Sequence, residues 1–316
     1  MKFPASPQAA FPTKPERSRK KMDSSFESAF GVAELTPAVF WGAFVFLFGA
    51  CAAVRQFRAL RREPPRQSVP AWDATLPQLT AFVAAALFCL LGVGILCAGA
   101  ARKLFPDAEL QGNLSYLVPV MQPLALVAIL VFIKCVPDAF PKPLDAARER
   151  GAGARGFFSL LSLKDAFGVP AFFGAAVFAV TLATLATLGV VSFLPEEIRA
   201  MFQERQQLVE ELSSPGRALA FALSAPAIAI VTPILEELIF RVGIYRFLKS
   251  RMPAVAAAII SSVIFAALHD AAVSFLPLTV LGCVLCFAYE KTGRVAAPML
   301  IHAFFNANTL LCIAIG

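Results

Sequence analysis

The sequence predicts an all-α fold, a polytopic transmembrane helix bundle of about eight helices. Three observations carry this. Hydrophobic residues make up 58% of the 316-residue chain and charged residues only 16%, against roughly half and a quarter in soluble domains. Mean hydropathy is +0.71. The apolar residues also fall in long, continuous, Ala/Leu-rich runs. A spanning β-strand needs about ten residues of alternating polarity, whereas these runs suit helices, which satisfy their own backbone hydrogen bonds in lipid.

At about 20 residues per crossing, eight segments qualify: 36–54, 79–100, 114–136, 168–194, 218–240, 253–269, 272–289 and 296–315. Residues 1–35 precede them as a basic, Pro- and Ser-containing tail with the composition of a disordered segment. Residues 36–200 then form a set of N-terminal transmembrane helices with no assigned role, and residues 215–316 a C-terminal transmembrane domain. The loops at 55–78 and 137–167 are basic and Pro-containing, and the loop at 195–217 carries Glu196, Glu197, Glu204, Glu210 and Glu211. The 137–167 loop includes Gly151-Ala152-Gly153-Ala154-Arg155-Gly156, but no strand precedes it, so the dinucleotide-binding context is missing.

Charge and cysteine usage exclude other classes. The net charge of +7 comes from Lys and Arg scattered over loops, which fits a protein facing anionic lipid and gives no basic, aromatic-interleaved face for nucleic acid. All seven cysteines lie in apolar segments, where they act as small hydrophobes and imply no disulfide framework. With eight crossings, the loops at 55–78, 137–167, 241–252 and 290–294 share one side, and that side holds the larger share of Lys and Arg. It is therefore cytoplasmic. The basic tail then falls on the other side, a conflict that an incomplete first crossing would relieve.

Few polar groups interrupt the apolar segments. The fifth ends in Glu236-Glu237-Leu238-Ile239-Phe240-Arg241. Glu237 and Arg241 are spaced to pair on one helix face. Glu236 points about 100° away and stays free to act. The only two histidines are His269 and His302. Phe265 precedes His269 by four residues and Asn306 follows His302 by four, so each pair shares a face. Taken singly, a helix-end salt bridge or a buried His or Asn is an ordinary structural contact. Together they are a carboxylate, two imidazoles and an amide from three of the last four segments, and such a set marks a reaction or ion site.

Glu236-Glu237-x-x-x-Arg241, Phe265-x-x-x-His269 and His302-x-x-x-Asn306, in that order, resemble the three motifs of the CAAX-protease-and-bacteriocin-processing membrane family, which includes the type II CAAX prenyl endopeptidase. The likeness covers about residues 215–312 and does not extend to the first four segments. It implies an intramembrane endopeptidase that cleaves a membrane-associated or C-terminal segment of a peptide or protein. In this reading Glu236 and His269 activate a water and His302 with Asn306 hold the oxyanion. Glu237, Arg241 and Phe265 support them. No cofactor is expected. A zinc-dependent variant would use Glu236, His269 and His302 as ligands, although the H-E-x-x-H helix is absent. The expected location is a bacterial-type inner membrane, multi-pass in the lipid bilayer, with the active site facing the cytoplasm. The rival classes are a non-catalytic, bacteriocin-immunity-like membrane partner and a proton-coupled transporter. The transporter lacks a visible inverted repeat or broken helix pair.

The topology has a direct test. A cysteine engineered beside Glu204 is expected to react with an impermeant thiol reagent on intact cells. Reaction only after lysis would invert the orientation.

Overall fold

The computed structural model describes residues 37–62, 69–104, 117–135, 163–202, 218–269 and 271–315. The tail at 1–35, the glycine-rich stretch at 151–156 and most of the 137–167 and 195–217 loops lie outside the described residues. Among the described residues every regular element is helical. They are α1 (Pro37–Arg62), α2 (Leu76–Leu104), α3 (Val118–Cys135), α4 (Leu163–Val191), the short α5 (Glu196–Met201), α6, α7 (Ala254–Ala267), α8 (Phe275–Thr292) and α9 (Ala296–Ile315). Six helices are long and apolar enough to cross a membrane, and α3 and α7 supply two shorter apolar ones. The eight expected segments are all present as helices, and the protein is a polytopic helical bundle.

The helix α6 departs from expectation. It is continuous from Ala218–Pro226 through a π-turn at Ala227–Val231, an α-helical stretch at Thr232–Glu237, a second π-helical stretch at Leu238–Tyr245 and a last turn at Arg246–Lys249. The fifth segment therefore does not end at residue 240. The acidic pair and Arg241 lie inside the span, because Arg241 finds its partners within the protein and is 1% exposed. The drop in hydropathy at Arg241 does not mark a membrane surface. The first helix is also long enough to cross, with an apolar stretch at Val39–Arg58, so length gives no support to an incomplete crossing. The seven cysteines are free.

Two groups of helices surround the C-terminal elements. One core joins α4 to α8 and α9 through Val169, Phe172, Ala176, Leu281, Leu285 and Ile301. The helices α1 and α4 approach closely where Gly49 meets Gly174: a Cβ on Gly49 would lie 2.4 Å from the Gly174 carbonyl oxygen. Such small-residue contacts replace hydrophobic drive between helices in lipid. The other core joins α2 and α3 to α6 through Phe82, Ile129, Leu235, Leu238 and Val242. Large apolar side chains such as Phe88, Ile95 and Val255 point outward, as a lipid-facing surface allows.

A non-helical strap at residues 69–75 fastens α2 to the C-terminal end of α6. The Trp72 amide donates to the Arg246 carbonyl at 2.9 Å. Arg246 Nε donates to the Pro70 carbonyl at 2.8 Å and Lys249 Nζ to the Val69 carbonyl at 2.7 Å. Arg251 donates to the Ala74 carbonyl. Glu290 of α8 accepts from Tyr245 Oη at 2.7 Å and pairs with Lys249.

The α2–α6 contact depends on Gly243, where a Cβ would fall 2.2 Å from the Phe82 ring. Gly243→Ala is expected to destabilise the protein by about 1–3 kcal/mol, the usual cost of overpacking, despite alanine's higher helix propensity of about 1 kcal/mol. Thermal denaturation in detergent measures this, and Phe82→Ala in the same chain should recover part of the loss. A neutral Gly243→Ala would refute the tight contact.

Candidate active site

The first polar group is built by α6 alone. Glu237 is fully buried, and its Oε1 lies 3.1 Å from Arg241 Nη1, the pairing that the four-residue spacing predicts. Arg241 Nη2 also donates to the Gly282 carbonyl of α8 at 3.4 Å. Its guanidinium sits over the Phe265 ring, 4.8 Å from the centroid, a geometry that adds cation–π attraction. Glu237 Oε2 and Arg241 Nε have no hydrogen-bond partner among the described residues. The pair is thus held by mutual neutralisation more than by full hydrogen bonding, and neither member tolerates loss of the other.

Glu237 reaches further than the sequence suggests. Its Oε1 lies 2.9 Å from His302 Nδ1 of α9. A carboxylate accepts, so the Nδ1 of His302 carries a hydrogen and the Nε2 edge is turned away. The second imidazole is set by a backbone group. His269 lies just past the end of α7, and its Nδ1 is 2.8 Å from the Phe265 carbonyl oxygen. A carbonyl oxygen can only accept, so this Nδ1 also carries a hydrogen. Both Nε2 atoms then face Glu236, with Oε1 3.7 Å from His269 and Oε2 3.5 Å from His302. The helix α7 has 14 residues, about 21 Å of rise against a hydrocarbon core of about 30 Å. It is therefore shorter than a full crossing.

Phe265 is the packing centre. Its ring centroid is 4.5 Å from that of His269, 5.8 Å from that of His302 and 5.1 Å from that of Phe240. It is fully buried, and it holds the imidazoles apart so that both reach one carboxylate. Ser261 of α7 donates to the Phe240 carbonyl at 3.2 Å, tying α7 to the π-helical stretch. Asn306 is half-buried one turn beyond His302, and its Nδ2 donates to the Ile228 carbonyl in the first π-turn at 3.0 Å.

The structure thus gathers Glu236, His269 and His302 around one point, with Glu237, Arg241 and Phe265 behind them. Asn306 stands on the same α9 face, anchored to α6. Sequence reasoning missed the Glu237–His302 contact, the Ile228 partner of Asn306, and the Tyr245–Lys249–Glu290 cluster. The first two join different helices, 65 and 78 positions apart in the chain, and local spacing carries no signal for them. The last joins residues 41 positions apart and had none.

A carboxylate flanked by two oriented imidazoles inside a helical bundle defines a class: a polytopic membrane protein with a half-buried carboxylate–imidazole cluster. Comparison with known proteins narrows it. Residues 218–308 match the Rce1-like family, described as Type II CAAX prenyl endopeptidase Rce1-like. Over 148 residues the chain is 29% identical to the "Putative membrane peptidase YdiL" of Bacillus subtilis (strain 168). That alignment covers 47% of this chain and 58% of the relative, so the chain spans less than two thirds of it. No solved structure matches the chain. The family that the three motifs of the C-terminal part resemble includes the one that this match names.

The buried pair yields a stability prediction. Arg241→Ala strands a buried carboxylate and is expected to cost about 3–5 kcal/mol. Joint replacement, Glu237→Leu with Arg241→Leu, is expected to cost less than either single change. Thermal melts in detergent decide between this and an additive pair.

Proposed function

We propose that the protein is an intramembrane endopeptidase that uses a water activated by Glu236 and His269, with His302 and Asn306 as oxyanion donors. The observation that carries the reading is the Glu236 carboxylate facing Nε2 of both imidazoles at 3.5 and 3.7 Å, with each Nδ1 occupied elsewhere. Contacts of this length shorten when the reacting groups assemble with substrate.

The chemistry follows from which atoms can donate. The Nε2 of neutral His269 has a lone pair, so with Glu236 it can take up hydrogen bonds from a water. As the water oxygen bonds to the scissile carbonyl carbon, its proton passes to Glu236, and the carbonyl electron pair moves onto oxygen. His302 has committed Nδ1–H to Glu237, so it can donate to that oxyanion only from Nε2–H. The donating form is therefore the imidazolium, whose charge faces Glu237. Asn306 offers the N–H not bound to Ile228. Collapse breaks the C–N bond, and Glu236 returns the proton to the leaving amine. Preorganised donors of this kind provide a large share of peptide-hydrolysis rate.

The reading needs no metal. Asn306 is a better oxyanion donor than zinc ligand. The substrate is a membrane-associated or C-terminal segment reached from the cytoplasmic face of an inner membrane. The family description supports a peptide bond near a lipidated C-terminus as one candidate. Nothing in the three motifs requires the lipid.

Membrane fractions from cells making the wild type or Glu236→Gln are to be compared for new protein termini. The wild type alone should generate them, in the presence of chelator. Protection or binding that survives Glu236→Gln, with no new termini, would identify a non-catalytic partner instead. On a cleaved substrate, Asn306→Ala should lower kcat by about 10²–10³-fold, the cost of one oxyanion donor, with KM little changed.

A further inference from the structure

The carbonyl oxygen of residue i in an α-helix accepts from the amide of i+4, and in a π-turn from that of i+5. For Ile228 these amides belong to Thr232 and Pro233. The Thr232 N–H is bound to the Ala227 carbonyl. Pro233 has no N–H to give. Both helical partners of the Ile228 oxygen are thereby removed, inside an apolar helical bundle. An unmet backbone acceptor in that setting is costly. The group that meets it is Asn306 Nδ2, at 3.0 Å, from another helix and 78 residues away.

We propose that Pro233 is a positioning residue for the oxyanion side of the site. By withholding an amide hydrogen it leaves the Ile228 carbonyl to Asn306 and so fixes the Asn306 carboxamide beside His302. Pro233 is itself buried and precedes Glu236 by three residues on the same helix. A single irregularity in α6 therefore sets the place of the base and, through Ile228, the place of the amide. An alanine at 233 supplies the missing N–H. The carbonyl is then satisfied within α6, and Asn306 loses its anchor without losing any atom of its own.

The catalytic consequence rests on the oxyanion reading of Asn306, but the anchoring does not, and the two are measured separately. The sequence contains only two Ile–Ala peptide bonds, Ile228–Ala229 and Ile313–Ala314. Protein in lipid bilayers labelled with carbonyl-13C isoleucine and 15N alanine therefore gives two carbonyl–nitrogen correlations, and Ile228→Val identifies the first by its loss. Asn306→Ala is expected to move the Ile228 carbonyl resonance upfield, as a lost hydrogen bond does. In Pro233→Ala, or in Pro233→Val should alanine not yield folded protein, Asn306→Ala should leave that resonance in place. An unmoved Ile228 resonance in Asn306→Ala, or an equal shift in both backgrounds, would overturn the proposal. On a cleaved substrate, Pro233→Ala should lower kcat by about 10–100-fold with KM unchanged, the scale for a misplaced group. The double variant should be no slower than Asn306→Ala. Independent, multiplying losses would also sink the coupling. An Asn306→Ala protein of full turnover would instead remove the oxyanion reading and leave the spectroscopic result to decide the anchoring alone.

Discussion

Glu237 and Arg241 sit in the bundle with essentially no exposure, and the arrangement of the site follows from keeping that pair neutral and surrounded. A lone carboxylate or guanidinium there would face a desolvation penalty of several kcal/mol. Arg241 answers with contacts to three elements: Glu237 on its own helix, the Gly282 carbonyl on α8, and the Phe265 ring on α7. Glu237 adds α9 through His302. Four helices are thus drawn together by one ion pair, and the two imidazoles arrive at Glu236 because the pair has already placed the helices that carry them.

The irregular winding of α6 belongs to the same constraint. A uniform α-helix would repeat its faces every 3.6 residues. The two π-helical stretches on either side of Thr232–Glu237 widen the helix and expose backbone carbonyls sideways. Those carbonyls are used: Ile228 receives Asn306 and Phe240 receives Ser261. Helix distortions of this type often accompany functional sites, because they trade regular backbone pairing for contacts to neighbouring elements.

The N-terminal helices brace this helix from the other side. Phe82 of α2 fills the space left by Gly243, and the 69–75 strap places backbone carbonyls under Arg246, Lys249 and Arg251. The basic residues after Arg241, which read as a cytoplasmic loop, are in part the clamp for this strap. Meanwhile α4 packs between α1 and the α8–α9 pair. The half of the chain without family motifs is built into the support of the half that has them.

Composition and run length determined the membrane class and the eight helices, because lipid forces every crossing segment to be long, apolar and helical. Spacing of four residues determined the Glu237–Arg241 pair and placed Phe265 near His269, because such neighbours meet on any helix. Glu236, His269 and His302 stood out as polar groups that an apolar segment does not carry without cause. Tertiary structure alone decided that α6 runs on to Lys249, since burial of Arg241 depends on Gly282 and Phe265 from other helices. It alone decided which imidazole nitrogen faces Glu236, since that is set by Glu237 for His302 and by a backbone carbonyl for His269. It also joined Asn306 to Ile228 and Glu290 to Tyr245 and Lys249. Local spacing speaks only for contacts within one helix, and hydropathy only for whether a segment enters the membrane. Which helix faces which, and by how many ångströms, is fixed by packing that no single segment encodes.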